Sequence, residues 1–266
     1  MKDLELIAEG RTAQVFDWKD NNVLKLFFDW FPEEFIDLEY DMNIAIRDFP
    51  ISVPKVIERV EIDGRQGIIF EKLLGDTLLK STREEQNNFE KHGKIMSNLH
   101  FQIHQIKTSK IISIQNFLKL FIGNAKELSL RQKMHLFSYI DTLESDNKLC
   151  YYDFHPDQIM LTKNGAYLID WVSAVSSPPS ADVARTYLLF LCSVYSGTDF
   201  DFKDLKKFYV SPLFDAYFKD YTKLNPKVTK EKVYSWLLPL AAGRIGEGIE
   251  SQTPFLLKMV TYLIDE

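Results

Sequence analysis

The run Cys150-Tyr151-Tyr152-Asp153-Phe154-His155-Pro156-Asp157-Gln158-Ile159-Met160-Leu161 concentrates groups able to do chemistry, and Tyr167-Leu168-Ile169-Asp170-Trp171 follows it closely. Phosphoryl transfer asks little covalent work of a protein. It needs a carboxylate for the acceptor hydroxyl proton, oxygen ligands for magnesium, and a cation on the phosphate oxygens. Asp153, in a loop ahead of a strand-like run, can supply the first. Gln158 and Asp170 stand at the two open ends of a tight hairpin that turns at Lys163-Asn164-Gly165, so the hairpin brings them near each other. Hard oxygen donors of this kind suit magnesium, which takes one or two carboxylates and completes its shell with water and phosphate. Lys25 stands in the apolar run Val23-Leu24-Lys25-Leu26. Lysine in an otherwise apolar strand is costly unless paired. Glu39 on the following helix is the preferred partner over Glu34, because it lies deeper in the apolar periodic stretch.

The elements that must hold these groups can be read from periodicity. Leu4–Ala8, Gln14–Trp18 and Val23–Phe27 read as strands, the last two joined by the polar turn Lys19-Asp20-Asn21-Asn22. Pro32–Ile46 switches to helical spacing, with Phe35, Leu38, Met42 and Ala45 expected on its buried face. Val56–Ile62 and Gly67–Leu73 flank Asp63-Gly64-Arg65 as a second hairpin. Beyond Gly75, expected to let the chain turn, the pattern becomes helical. A long helix is expected over Glu84–Ile106 and further helices over Ile114–Ile122 and Leu130–Leu143, and the chain is helical from Ala181 to its end. The reading is therefore an α+β chain of two lobes, a β-rich one over 1–73 and a helical one over 74–266.

Composition excludes several classes. The chain has 266 residues, 45% hydrophobic, with a formal charge of -6. That is enough for two lobes sharing a cleft, and it lacks the basic field of a non-specific nucleic-acid binder. Cys150 and Cys192 are too few for a disulfide scaffold and have no zinc-ligand spacing. Met1-Lys2-Asp3-Leu4-Glu5 is not expected to start a signal peptide, and Ala181–Tyr195, broken by Asp182 and Arg185, is not expected to span a bilayer. No membrane or nucleic-acid partner is expected, and the cytoplasm is the expected location.

The catalytic run resembles the loop of the aminoglycoside phosphotransferase and choline kinase family, relatives of protein kinases. That loop reads roughly His-Gly-Asp-x-His-Pro-x-Asn and is followed by Ile-Asp-Trp. Asp153, His155, Pro156, Ile169, Asp170 and Trp171 match it. Tyr151 stands where the family usually has His, Tyr152 where it usually has Gly, and Gln158 in place of the metal-binding Asn. The resemblance implies a bilobal protein-kinase-like fold with an antiparallel-sheet N-lobe carrying one helix. It implies ATP, or GTP, with Mg2+ as cofactors and a small-molecule hydroxyl as acceptor. It makes Asp153 the catalytic base and Gln158 and Asp170 the metal ligands. Lys25 oriented by Glu39 would hold the phosphates, Gly10, Arg11 and Thr12 would cover them, and Phe70, Glu71 and Leu73 would form the hinge at the base. The competing class is a nucleotide-binding kinase-like module with weak or no catalysis. The short stretch between Asp170 and Ala181-Asp182 leaves little room for a peptide-docking activation segment. Outside the motif, His155 is expected to orient the loop and Tyr151 and Tyr152 to pack beside it. His100 and His104 read as a structural pair without a third ligand, and Asp182 as a helix cap. Arg185 is expected to pair with an acidic residue of the catalytic region, and Glu247 to be a solvated or core-paired carboxylate rather than a site for a cationic substrate.

Overall fold

A computed structural model describes residues 4–85 and 88–266. In chain order the elements are β1 (Leu6–Glu9), β2 (Ala13–Trp18), β3 (Asn22–Phe27), α1 (Glu33–Ile46), β4 (Val56–Ile62), β5 (Arg65–Glu71), β6 (Gly75–Thr77), α2 (Leu78–Glu84), α3 (Phe89–Ile103), α4 (Ile114–Asn124), α5 (Leu130–Thr142), β7 (Lys148–Cys150), β8 (Ile159–Thr162), β9 (Gly165–Leu168), β10 (Val175–Ser177), α6 (Pro179–Tyr195), α7 (Pro212–Leu224), α8 (Lys230–Gly246) and α9 (Thr253–Asp265). The expected long helix is therefore shorter, beginning at Phe89. Of its expected span, Gln86 and Asn87 lie outside the described residues, as do Met1, Lys2 and Asp3 at the start.

Two compact units form. The first joins the described part of Met1–Arg83 to Pro156–Ser173, and the second holds Glu84–His155 and Ala174–Glu266. This differs from a division at 73/74. The physical reason is a second sheet: β6 pairs with β8, Gly75 opposite Thr162, and β8 pairs with β9. Gly75 is needed there for close approach rather than for a turn, since a Cβ on it would lie 1.8 Å from the Leu161 carbonyl oxygen.

The main sheet of the first unit is antiparallel in the order β1-β2-β3-β5-β4. The β2–β3 turn carries Asp20 and Asn21 at φ 60° and 57°, and the β4–β5 turn carries Asp63 and Gly64 at 51° and 81°. Paired left-handed residues match the twist of the flanking strands, so these polar pairs set the registers. Both faces of the sheet are covered. Phe16, Leu24, Leu26 and Ile69 cluster together, while Ala13, Phe27, Ile68 and Phe70 pack with Ile36 of α1. Side chains alternate along a strand, so Lys25 shares the α1 face with Val23 and Phe27. α1 buries Ile36, Glu39, Met42, Asn43 and Ile46, whereas Phe35, Leu38 and Ala45 are exposed. The buried face is rotated from the expected one because polar pairing as well as hydrophobicity decides it. The buried stripe instead carries two polar residues, of which Glu39 meets Lys25 and Asn43 donates to the Glu39 carbonyl.

The second unit is helical around α6, whose residues Ser180–Cys192 are all buried. α8 packs on α6 and α4, and α3 lies along α7. Gly93 permits that last approach, because a Cβ there would sit 2.6 Å from both the Ala216 Cβ and the Tyr217 amide nitrogen. α5 starts with a capping box, Ser129 with Gln132. Cys150 and Cys192 are buried and unpaired.

Candidate active site

In the first unit three predicted residues converge. Lys25 Nζ donates to Glu39 Oε1 at 2.6 Å and lies 3.3 Å from Asp170 Oδ1. Burial opposes the charge on Lys25, but Asp170 and Glu39 outweigh it and hold the ammonium above its ordinary range. Burial pushes the Glu39 carboxyl up, the Lys25 charge opposing. At 2.6 Å the ion pair is the form we assign, with lysine cationic. Asp170 sits just past β9 at φ 62°, a conformation Asp tolerates better than most side chains. Its carboxylate remains 37% exposed. Gln158 ends a 3₁₀ turn over Pro156–Gln158, and its carbonyl accepts from the Ile169 amide at 3.1 Å. Gln158 and Asp170 are thus held at the same end of the β8–β9 hairpin, as the spacing predicts. A partly exposed carboxylate, with a glutamine whose backbone is held at the same end of the hairpin, offers the oxygen donor types that magnesium takes.

The other predicted groups of this unit lie on the sheet and its edges. Gly10 and Arg11 are exposed, and the Gly10 amide donates to the Ala13 carbonyl at 2.9 Å. The Thr12 carbonyl accepts from the Phe28 amide at 3.0 Å. Phe70 is buried in β5, the Glu71 amide donates to the Lys55 carbonyl at 2.8 Å, and Leu73 follows half-buried.

Asp153 belongs to the second unit. His155 Nε2 lies 3.5 Å from Asp153 Oδ2, and the Asp153 side chain is 27% exposed. Burial opposes ionisation, but His155, Arg185 and Arg244 hold this carboxyl well below the usual carboxylate range. It is a carboxylate at every working pH.

Behind it stands a buried network. Asp182 Oδ2 accepts from His100 Nε2 at 2.9 Å, His104 Nε2 at 3.1 Å and the Tyr151 amide at 2.7 Å. Oδ1 accepts from the Tyr152 amide at 2.8 Å. On the far side of the imidazoles, Tyr217 Oη is 2.7 Å from His100 Nδ1 and Tyr221 Oη 2.6 Å from His104 Nδ1. The carboxylate can only accept, so both Nε2 atoms carry the proton and both tyrosines donate. The pairs at i, i+4 on α3 and α7 are in step, one imidazole to each phenol. Asp182 is therefore no helix cap: α6 begins earlier, with Pro179 in its first turn, and the Asp182 side chain serves the loop before Asp153.

Burial pulls the His104 imidazole down to about 4, with His100 adding to the effect and Asp182 opposing it. The unfolded chain takes up this proton from pH ~6.5 downward while the native chain refuses it until about 4. His104 thus contributes stability that is complete above the unfolded value and is lost as pH falls toward 4. Between pH 7 and 5 its share is about 2 kcal/mol. Urea unfolding at the two pH values should show this loss, and His104→Gln should flatten it. Equal pH slopes in both proteins would contradict the assignment.

The match to known proteins decides the family. The profile of the phosphotransferase enzyme family, APH, fits residues 3–226. The chain belongs to that family. No protein of curated function matches the sequence. Among solved structures it resembles a putative fructosamine-3-kinase from Haemophilus somnus 129PT, with 11% identity, TM-score 0.64, and coverage of 97% of this chain and 88% of that one. It also resembles aminoglycoside phosphotransferase APH(3'')-Id from Streptomyces rimosus ATCC10970 in complex with ADP and streptomycin (14%, 0.58, 90% and 92%). A third similar structure is the GDP and kanamycin complex of APH(2")-IIia (12%, 0.59, 100% and 92%). These likenesses establish the kinase-like fold that the catalytic run implied.

In this phosphotransferase one arrangement corrects the sequence expectation and another makes it specific. His100 and His104 do have a third neighbour, Asp182, so the three could be mistaken for a metal cluster. Their hydrogen bonds are complete without an ion. Glu247 accepts from both Arg185 and Arg244, which neutralise it. It is core-paired and offers no bare charge to a cationic substrate. Neither arrangement has a sequence signal beyond the residue types, because each joins helices far apart in the chain.

Proposed function

We propose that the chain transfers the γ-phosphoryl group of ATP or GTP to a hydroxyl of a small molecule. The observation that carries this reading is the Lys25–Glu39–Asp170 cluster, an ammonium shared between a buried carboxylate and a partly exposed one. Burying such a pair costs desolvation on both sides, and apolar packing would serve stability as well. Its use is to present a fixed cation to phosphate oxygens and a carboxylate to a metal. In this reading Lys25, oriented by Glu39, binds the phosphates. Asp170 and Gln158 would hold magnesium, which when bound neutralises charge on the β- and γ-phosphate oxygens. The acceptor oxygen bonds to the γ-phosphorus, the bond to the bridging oxygen breaks, the nucleoside diphosphate leaves, and Asp153 orients the hydroxyl and takes its proton. Gly10, Arg11 and Thr12 cover the phosphates, while Phe70, Glu71 and Leu73 face the base. Among the described residues no helix is long and apolar enough to cross a membrane.

Thermal unfolding with and without Mg-ATP or Mg-GTP tests the nucleotide half of the proposal. Wild type should gain several degrees at saturating nucleotide, and Lys25→Met should lose most of that gain. A wild type indifferent to both nucleotides would overturn it.

A further inference from the structure

α6 grips one residue, Tyr152, through the peptide groups on either side of its Cα. Asp182 Oδ1 accepts the Tyr152 amide at 2.8 Å, and Arg185, three residues on along the same helix, donates Nε to the Tyr152 carbonyl at 3.2 Å. Between these bonds Tyr152 has φ 68°, the left-handed region that strains a bulky L-residue. Its ring is held as well. The Arg185 guanidinium carbon lies 4.3 Å from the ring centroid, and Phe117 meets it edge-on at 4.7 Å. Arg185 is fully buried and is fixed in turn from α8. Its Nη2 is 2.9 Å from both Glu247 carboxylate oxygens, Arg244 Nη1 also donates to Glu247, and Arg244 Nε donates to Gln252 at 2.9 Å. The next residue along the loop is Asp153.

We propose that Arg185 is a positioning residue for phosphoryl transfer. Through the Tyr152 carbonyl it holds the left-handed residue that precedes and aims Asp153, and Glu247 with Arg244 holds Arg185 in place. The proposal rests on reading Asp153 as the base. Glycine enters the left-handed region without strain, so a glycine before the base would need no such clamp. Tyrosine does need it, and burying Arg185 behind the loop, paired to Glu247 and through it to Arg244, has that use.

Arg185→Lys keeps the charge facing Glu247 but removes the Nε donor aimed at the carbonyl. The test follows ADP release from Mg-ATP with water as acceptor, together with amide hydrogen exchange over residues 150–155. In the otherwise wild-type chain, Arg185→Lys should lower kcat at least tenfold, leave the nucleotide KM within twofold, and speed exchange of the segment at least tenfold. In a Tyr152→Gly background the same change should cost less than threefold in both readouts. Unchanged kcat and exchange, or equal losses in the two backgrounds, would overturn the proposal. Should Arg185→Lys fail to fold, Glu247→Gln in the same two backgrounds carries the same expectation, because it loosens Arg185 without touching the carbonyl. Asp153→Asn separates the two levels. If it abolishes ADP release while Arg185→Lys is silent, only the positioning role falls; if it leaves ADP release unchanged, the base assignment falls and takes this role with it.

Discussion

Asp153→Asn lowers kcat for transfer to a hydroxyl by on the order of 10²–10⁴-fold and leaves the nucleotide KM within about twofold. The substitution is nearly isosteric, so the loop keeps its shape. What it removes is the anionic oxygen that receives the proton as the acceptor oxygen bonds to phosphorus. Asp153 is suited to that step by its surroundings. His155 lies 3.5 Å away, and His155, Arg185 and Arg244 together keep the carboxyl ionised against the cost of burial. Phosphates are assigned to Lys25 instead, so nucleotide affinity has no reason to follow. Steady-state kinetics separates the two parameters. A variant that keeps wild-type kcat would remove Asp153 from the mechanism, whereas a large rise in nucleotide KM alone would make it a binding residue.

Asp182→Ala destabilises the fold by about 3–5 kcal/mol, the scale for removing one member of a buried charged network. Asp182 is 1% exposed and is the acceptor for four donors, two imidazoles and two amides. Alanine leaves all four facing a cavity too small for each to find a new partner. For a chain of this length the loss corresponds to a fall in Tm on the order of 10 °C. Asp182→Asn should also be costly, because its amide turns a donor toward groups that are themselves donors. Thermal unfolding followed by circular dichroism reads both variants. A change of less than about 2 °C in either would mean that water or side-chain movement satisfies the network, and that the network does not organise the loop.

The parts of the site that were legible in the sequence are those set by local rules. A lysine in an apolar strand demands a partner. Strand alternation places Lys25 on the side that the following helix covers, and there it meets Glu39. The hairpin that brings Gln158 to the end carrying Asp170 follows from two short runs about a polar turn. Less legible was the buried face of α1, where the pattern of large apolar residues pointed to Phe35 and Leu38. Burial there follows Ile36, Glu39, Asn43 and Ile46, because pairing with Lys25 and with the helix backbone makes two polar residues good interior groups. Beyond local rules lay the grip on the loop before Asp153. His100 and Asp182 are 82 positions apart, and Arg185 and Glu247 are 62 apart. Only the packing of helices onto α6 brings such groups together. Tyr152 shows the same limit. Its departure from the family's usual glycine reads in the sequence only as a ring packed beside the loop, whereas the fold bonds both its amide and its carbonyl.

The central claim is phosphoryl transfer from a magnesium–nucleotide complex to a small hydroxyl compound, and ³¹P NMR of the wild-type protein with Mg-ATP and mixed acceptors tests it most directly. Pools of sugars, amino alcohols, choline-like cations and aminoglycosides cover the acceptor classes. The account predicts a phosphomonoester resonance that grows in step with ADP in at least one pool and is absent with Asp153→Asn. ATP that stays intact in every pool, with Mg-GTP giving the same result, would contradict it.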